Sequence, residues 1–210
     1  MELLRGLPDE DVKTVLAAAR RRRFARGDIL FHQGDPAASL HVILRGRIAV
    51  RLTTPLGNVV TLDILVAGDT LGELALLTPG EVRNATAAAL ESTETMAIDR
   101  ETFATLRTER PAVNDVLIEL LARRLRRMAT RLVEALYVPV DVRVFRRLVE
   151  LADVYGEVVP LTQEDLAGLV GTTRATVNRV LKAEEKAGTV ELSRGHVRVT
   201  DRAALGVRAR

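Results

Sequence analysis

The 210-residue chain contains no cysteine. Disulfides, thiolate zinc sites and cysteine-held iron–sulfur clusters are therefore excluded. It has only three histidines, His32, His41 and His196, so no metal or haem site is expected, and His32 and His41 read as structural. No run of 18 apolar residues occurs, and no membrane-spanning helix is expected. The opening MELLRGLPDEDVK carries charges in its first turns and lacks the apolar stretch of a secretory signal. A cytoplasmic location is the expectation. Gly-x-Ser-x-Gly and P-loop patterns are both missing, which speaks against an enzyme. What remains is 47% hydrophobic, 28% charged and carries a net charge of +3. That balance suits a globular protein of one large or two small domains, and it permits a polyanionic partner.

Three parts follow along the chain. Between residues 24 and 98, GDILFHQGD, SLHVILRGRIAVRLT, GNVVTLDILVAGDT and TAAALESTETMAID read as strands, with glycines 27, 34, 46, 57, 68 and 80 between them. Their spacing predicts an antiparallel β-roll of the jelly-roll type within residues 1–110, preceded by a short helix over PDEDVKTVLAAAR. Residues 111–137, which open on Pro111, predict one long helix. Val113, Leu117, Leu121, Leu125, Met128, Leu132 and Ala135 step by three or four and form a single apolar stripe. A long helix with a narrow seam calls for a second helix against it, so this stripe is the expected dimer interface of a homodimer. Pro139 then breaks the helix, and Val138–Val140 is the expected hinge into a third part, 138–210.

TQEDLAGLVGTTRATVNRVL has helix-turn-helix spacing. Ala167 lets two helices meet closely, Gly171 tolerates the positive φ of the turn, and Val177, Val180 and Leu181 face inward. Thr162 with Asp165 resembles a capping box. Arg174, Asn178 and Arg179 face outward, where an arginine fork reads guanine. Thr172, Thr173 and Thr176 suit phosphate contacts, Lys182 adds electrostatics, and Thr162 and Gln163 at the start of the first helix join this DNA-facing set. TVELSRGHVRVT predicts two strands whose turn, with Arg194, forms a wing. The closing GVRAR reads as a loose basic end.

GELALLTPGEVRNAT, residues 72–86, places an arginine ten residues after a Gly-Glu pair, with Pro79-Gly80 turning the chain between them. Roll, long helix and winged helix-turn-helix, in that order, resemble the CRP/FNR family of bacterial transcription regulators, and GELALLTPGEVRNA resembles its phosphate-binding cassette. The α+β fold fits that family: a cyclic-nucleotide-binding-like β-roll, a dimerisation helix and a winged DNA-binding domain. The resemblance implies a cyclic nucleotide effector, cyclic AMP first, with Glu73 on the ribose 2′-hydroxyl and Arg83 on the cyclic phosphate. Gly72, Leu74 and Asn84 complete the cassette, Leu62 packs on the base, and Arg124, Met128 and Ala129 meet the ligand from the long helix. It also implies a near-palindromic double-stranded DNA operator and RNA polymerase as partners.

Three departures stand out. Relatives that respond to cyclic AMP carry adjacent hydroxyl residues where this chain has Met128 and Ala129. The frequent Arg-Glu pair of the recognition helix reads Arg174-Ala175 here, and alanine cannot accept from a cytosine amino group. The loop DVYGEVV is shorter than the polymerase-contacting loop of some activators, so those contacts do not transfer. Two alternatives stay open: a regulator of this type that binds DNA without a nucleotide, and a cyclic-nucleotide module that binds no DNA.

Overall fold

The computed structural model describes residues 9–57, 59–78 and 80–210. Pro8, expected to open the first helix, and Pro79 of the cassette turn lie outside them. The contacts divide the chain between residues 126 and 127, inside the long helix, into two units. Among the described residues no helix is long and apolar enough to cross a membrane.

Among the described residues, the first unit runs from α1 (Asp9–Ala18) through eight strands: β1 (Arg20–Phe24), β2 (Ile29–Phe31), β3 (Ser39–Arg45), β4 (Ile48–Thr53), β5 (Val59–Leu65), β6 (Thr70–Leu71), and, after the short helix α2 (Leu74–Leu77), β7 (Thr86–Ala89) and β8 (Thr93–Asp99). Helix α3 (Arg100–Glu109) and α4 (Pro111–Tyr137) follow. The strands form two antiparallel four-stranded sheets, ordered β1-β8-β3-β6 and β2-β7-β4-β5. This is the expected β-roll, and Ile43, Ile48, Leu65, Leu71 and Ala87 form one of its cores. Strand β1 has no counterpart in the sequence reading. Its four arginines give no apolar alternation, yet they pair in register with β8, and Arg21 and Arg23 both reach Glu94, at 3.5 and 3.1 Å.

A second core joins Leu40, Val42 and Ile98 of the first sheet to Ala75 and Leu76 of α2, Phe103 and Leu106 of α3, and Val113, Val116 and Leu117 of α4. This corrects two expected interface residues. Val113 and Leu117 are 2% and 3% exposed, packed within their own unit and closed to a partner helix. The first three turns of α4 serve the roll. The apolar row open to solvent starts at Ile118 and takes in Leu125, Met128, Leu132 and Leu136. At 3.6 residues per turn the buried and exposed rows lie roughly 120° apart on the helix. Leu121 is half-buried and Ala135 exposed.

The second unit holds the end of α4, then α5 (Val140–Tyr155), β9 (Val158–Val159), α6 (Gln163–Val170), α7 (Arg174–Lys186), β10 (Val190–Ser193), β11 (His196–Val199) and α8 (Arg202–Arg208). The strands form one sheet ordered β10-β11-β9. Val144, Leu148, Leu166, Val177, Leu181, Val197 and Leu205 are buried in it. Pro139 precedes α5, as expected of a helix breaker. The bend it makes is braced: Glu134, near the end of α4, meets Arg146 at 3.1 Å and Arg147 at 3.8 Å on α5. Motion at Val138–Val140 must therefore break these ion pairs.

The terminal GVRAR is not loose. It ends α8, which Asp201 caps by accepting from the Ala204 N–H at 2.9 Å. Leu205 anchors the helix in the core, Arg208 pairs with buried Glu184 of α7, and Arg146 Nε donates to the Ala209 carbonyl at 2.6 Å. A short basic tail after one leucine shows none of this in the sequence, because its partners lie more than twenty residues upstream.

Candidate functional site

In the first unit, β6 delivers the chain to Gly72, whose φ is +86°. A Cβ there would sit 2.5 Å from Arg83 Nη1 and 3.0 Å from the Ser39 carbonyl oxygen, so no side chain fits. Arg83, just before β7, lies in this gap at 3% exposure. Its Nη1 donates to the Gly72 carbonyl at 2.9 Å and its Nη2 to the Ser39 carbonyl at 2.5 Å. The guanidinium carbon stands 4.1 Å from the centre of the Phe31 ring. Nε is buried and has no partner among the described residues. Burial weakens this arginine's hold on its proton, while the field of Glu73 strengthens it.

Glu73 follows at 1% exposure. Arg124 of α4 donates to Glu73 Oε1 and to the Thr70 carbonyl. Glu73 Oε2 is buried without a partner among the described residues. Burial pushes the Glu73 carboxyl up from its ordinary range, and Arg124 opposes that shift. The result is a buried acceptor and a buried cation in one cassette, each with a polar atom uncommitted. An unpartnered buried carboxylate oxygen is costly unless something donates to it.

The structure brings Gly72, Glu73, Arg83 and Arg124 together. Leu62 of β5, Leu74 of α2 and Asn84 are exposed. Met128 and Ala129 belong to the second unit and are exposed on α4. Sequence reasoning missed Phe31 and Ser39. The carbonyl that Ser39 offers could come from any residue type, so nothing in the sequence marked it. His41 is buried, with Nε2 3.0 Å from Ser39 Oγ and Nδ1 3.1 Å from Thr95 Oγ1. Burial first, then Arg83 and Arg22, pushes its pKa down to about 4. That fits a structural role, whereas His32 is exposed.

In the second unit, Thr162 caps α6: Asp165 N–H donates to its hydroxyl at 3.1 Å, and that hydroxyl donates to the Asp165 carboxylate at 2.6 Å. Helix α6 ends on Gly171 in the left-handed conformation, φ 70° and ψ 50°. Thr173 caps α7, accepting from Thr176 N–H at 3.2 Å, and the two hydroxyls are 3.0 Å apart. Thr172 is half-buried in the turn. Val177, Val180 and Leu181 hold α7 to the core, which leaves Arg174, Asn178, Arg179 and Lys182 exposed. Lys182 meets Glu185 at 2.7 Å, and this offsets much of its charge. The β10–β11 turn carries exposed Arg194 beside Gly195. A cleft of about 570 Å³ runs between helix pair and wing, lined by Thr162, Gln163, Arg174, Asn178, Arg194 and His196 among others. Arg179 and Lys182 lie farther round α7, outside it.

Residues 21–110 match the cyclic nucleotide-binding domain family, and residues 142–207 match the Crp-like helix-turn-helix domain family. A cyclic AMP receptor protein from Thermus thermophilus is 36% identical over 204 residues, covering 97% of this chain and 94% of that protein. The chain belongs to the CRP/FNR family of transcription regulators. A CRP-like cAMP-activated global transcriptional regulator from Mycobacterium tuberculosis is 32% identical over 195 residues, with 89% and 87% of the two chains covered. Among solved structures, the Thermus thermophilus catabolite activator protein is 35% identical with a TM-score of 0.59, covering 100% of this chain and 98% of that one. As a CRP-family protein the chain is a DNA-binding regulator with a cyclic nucleotide-binding domain. The stretch between the two matched families, 111–141, is α4 and the bend after it.

Proposed function

We propose that the protein is a homodimeric transcription regulator switched by a cyclic nucleotide in its β-roll, with cyclic AMP the first candidate. The observation that carries this reading is Glu73 Oε2, buried and unpartnered beside the buried cation Arg83. A sugar hydroxyl would satisfy that oxygen. A singly charged phosphodiester would take N–H groups of Arg83, only two of whose five are committed here. The names of the Thermus and Mycobacterium relatives, a cyclic AMP receptor and a cAMP-activated regulator, support the choice. Met128 and Ala129 offer no hydrogen bond to a base, so discrimination between purines should be weak.

The exposed row Ile118, Leu125, Met128, Leu132 and Leu136 supports a dimer seam along α4. Two recognition helices would then enter successive major grooves about 34 Å apart on a near-palindromic operator. Arg174, Asn178 and Arg179 would read bases, while Arg194 would hold the backbone. RNA polymerase is the partner expected of such a regulator. Replacing Leu125 by aspartate should convert a dimer into a monomer in sedimentation.

Calorimetric titration of protein freed of bound nucleotide, followed by operator binding with and without cyclic AMP, tests the whole reading. Micromolar binding that tightens operator affinity supports it. A coupling of about 1–3 kcal/mol is expected. Operator affinity indifferent to cyclic AMP and cyclic GMP alike would sink it. The outcome would favour a regulator needing no nucleotide, a reading helped by Arg83 already having two backbone acceptors.

A further inference from the structure

Strands β3 and β6 pair only at His41–Leu71 and Val42–Thr70. Past Leu71 the ladder stops, and two guanidinium groups continue the connection. Arg83 joins the Ser39 and Gly72 carbonyls. Arg100 makes a parallel link: its Nε donates to the Ala37 carbonyl at 3.1 Å and its Nη2 to the Ala75 carbonyl at 3.0 Å. Its own backbone N–H donates to the Ala38 carbonyl at 3.0 Å. Three consecutive carbonyls, 37 to 39, are therefore held by these two arginines, and the same side chains hold both ends of the turn 72–75.

Arg100 is fixed where it stands. Strand β8 ends at Asp99, whose carboxylate caps α3 by accepting from Thr102 N–H at 2.8 Å. Phe103 and Leu106 anchor the rest of that helix in the core. A planar fork holds two carbonyls in fixed directions; a lysine ammonium is a compact point charge without that fixed geometry. Arg100 also lies close enough to Arg83 for their charges to oppose each other. Two cations beside one cassette make a bound anion more favourable than either alone would.

We propose that Arg100 is a positioning residue of the anion site, holding segment 37–39 against the cassette so that Arg83 can exchange its carbonyls for a phosphate. Without Arg100, an Arg83 that turned to the phosphate would leave neither of these two guanidinium links between segment 37–39 and the turn 72–75. The inference rests on the cyclic-nucleotide reading and names a residue that reading lacked.

The test is calorimetry and phosphorus NMR on the full chain with cyclic AMP, comparing the unaltered protein with Arg100→Lys. The lysine variant should bind about tenfold more weakly. At saturation the phosphorus resonance of bound cyclic AMP should move, because Arg83 meets the phosphate differently. Should Arg100→Lys fail to fold, Arg100→Gln, which keeps one amide donor, is read in the same way. Unchanged affinity overturns the proposal. So does weaker binding with an unmoved phosphorus resonance, which would make Arg100 a stability element only. If the unaltered protein binds no cyclic nucleotide, the functional reading itself fails and this inference with it.

Discussion

Two sets of arginines, one in each unit, do opposite work. In the first, Arg83, Arg100 and Arg124 turn inward, and each donates to backbone carbonyls. In the second, Arg174, Arg179 and Arg194 turn outward from a helix and a wing. A buried guanidinium demands acceptors prepared by the fold, because desolvation is costly without them. An exposed one needs only a helix face or a turn. The inward set therefore depends on tertiary geometry, and the outward set tolerates change around it.

Substitutions break this comparison in order of size. Arg83→Ala should cost cyclic AMP about a hundredfold or more in affinity by calorimetry, since the phosphate loses its desolvated cation. Ligand-independent DNA binding should be little altered. The next effect tests how finely the inward set is tuned. His41 titrates at 6.5 when unfolded and about 4 when folded. Its depressed value means full stability above pH 6.5 and progressive loss as pH falls towards 4. The linkage is worth roughly 3 kcal/mol. Urea unfolding across that range should show His41→Gln losing less stability on acidification than the unaltered protein. On the outward side, Arg179→Ala should remove about 1–3 kcal/mol of discrimination at one base pair, read by competition among operator variants. The smallest change is Arg194→Ala. It should lower the slope of log affinity against log salt by about 1 and leave base preference intact.

How far the sequence could be read follows the same divide. The strands between Ile29 and Asp99 were legible from short apolar runs bounded by glycines, and the helix pair from Gly171 and its caps. Glu73 and Arg83 were legible because a motif fixes their residue types. Arg100 was not, since its partners are carbonyls of alanines and carry no residue signature. Strand β1 escaped because four arginines have no apolar period, although pairing with β8 suffices to order them. The stripe on α4 was read as one surface. Val113 and Leu117 belong to the roll because the apolar residues form two rows, and spacing by three or four alone does not separate rows a third of a turn apart.

Helix α8 joins elements that the linear chain keeps apart. Its Arg208 grips Glu184 near the end of α7, and the Ala209 carbonyl is gripped by Arg146, which also holds Glu134 at the foot of α4. Foot, α5, terminal helix and recognition helix are thus joined in series by two ion pairs and one hydrogen bond. Torque applied to the last turn of α4 has a path through α5 and α8, and α7 turns with the body of its unit as a gear turns with its hub.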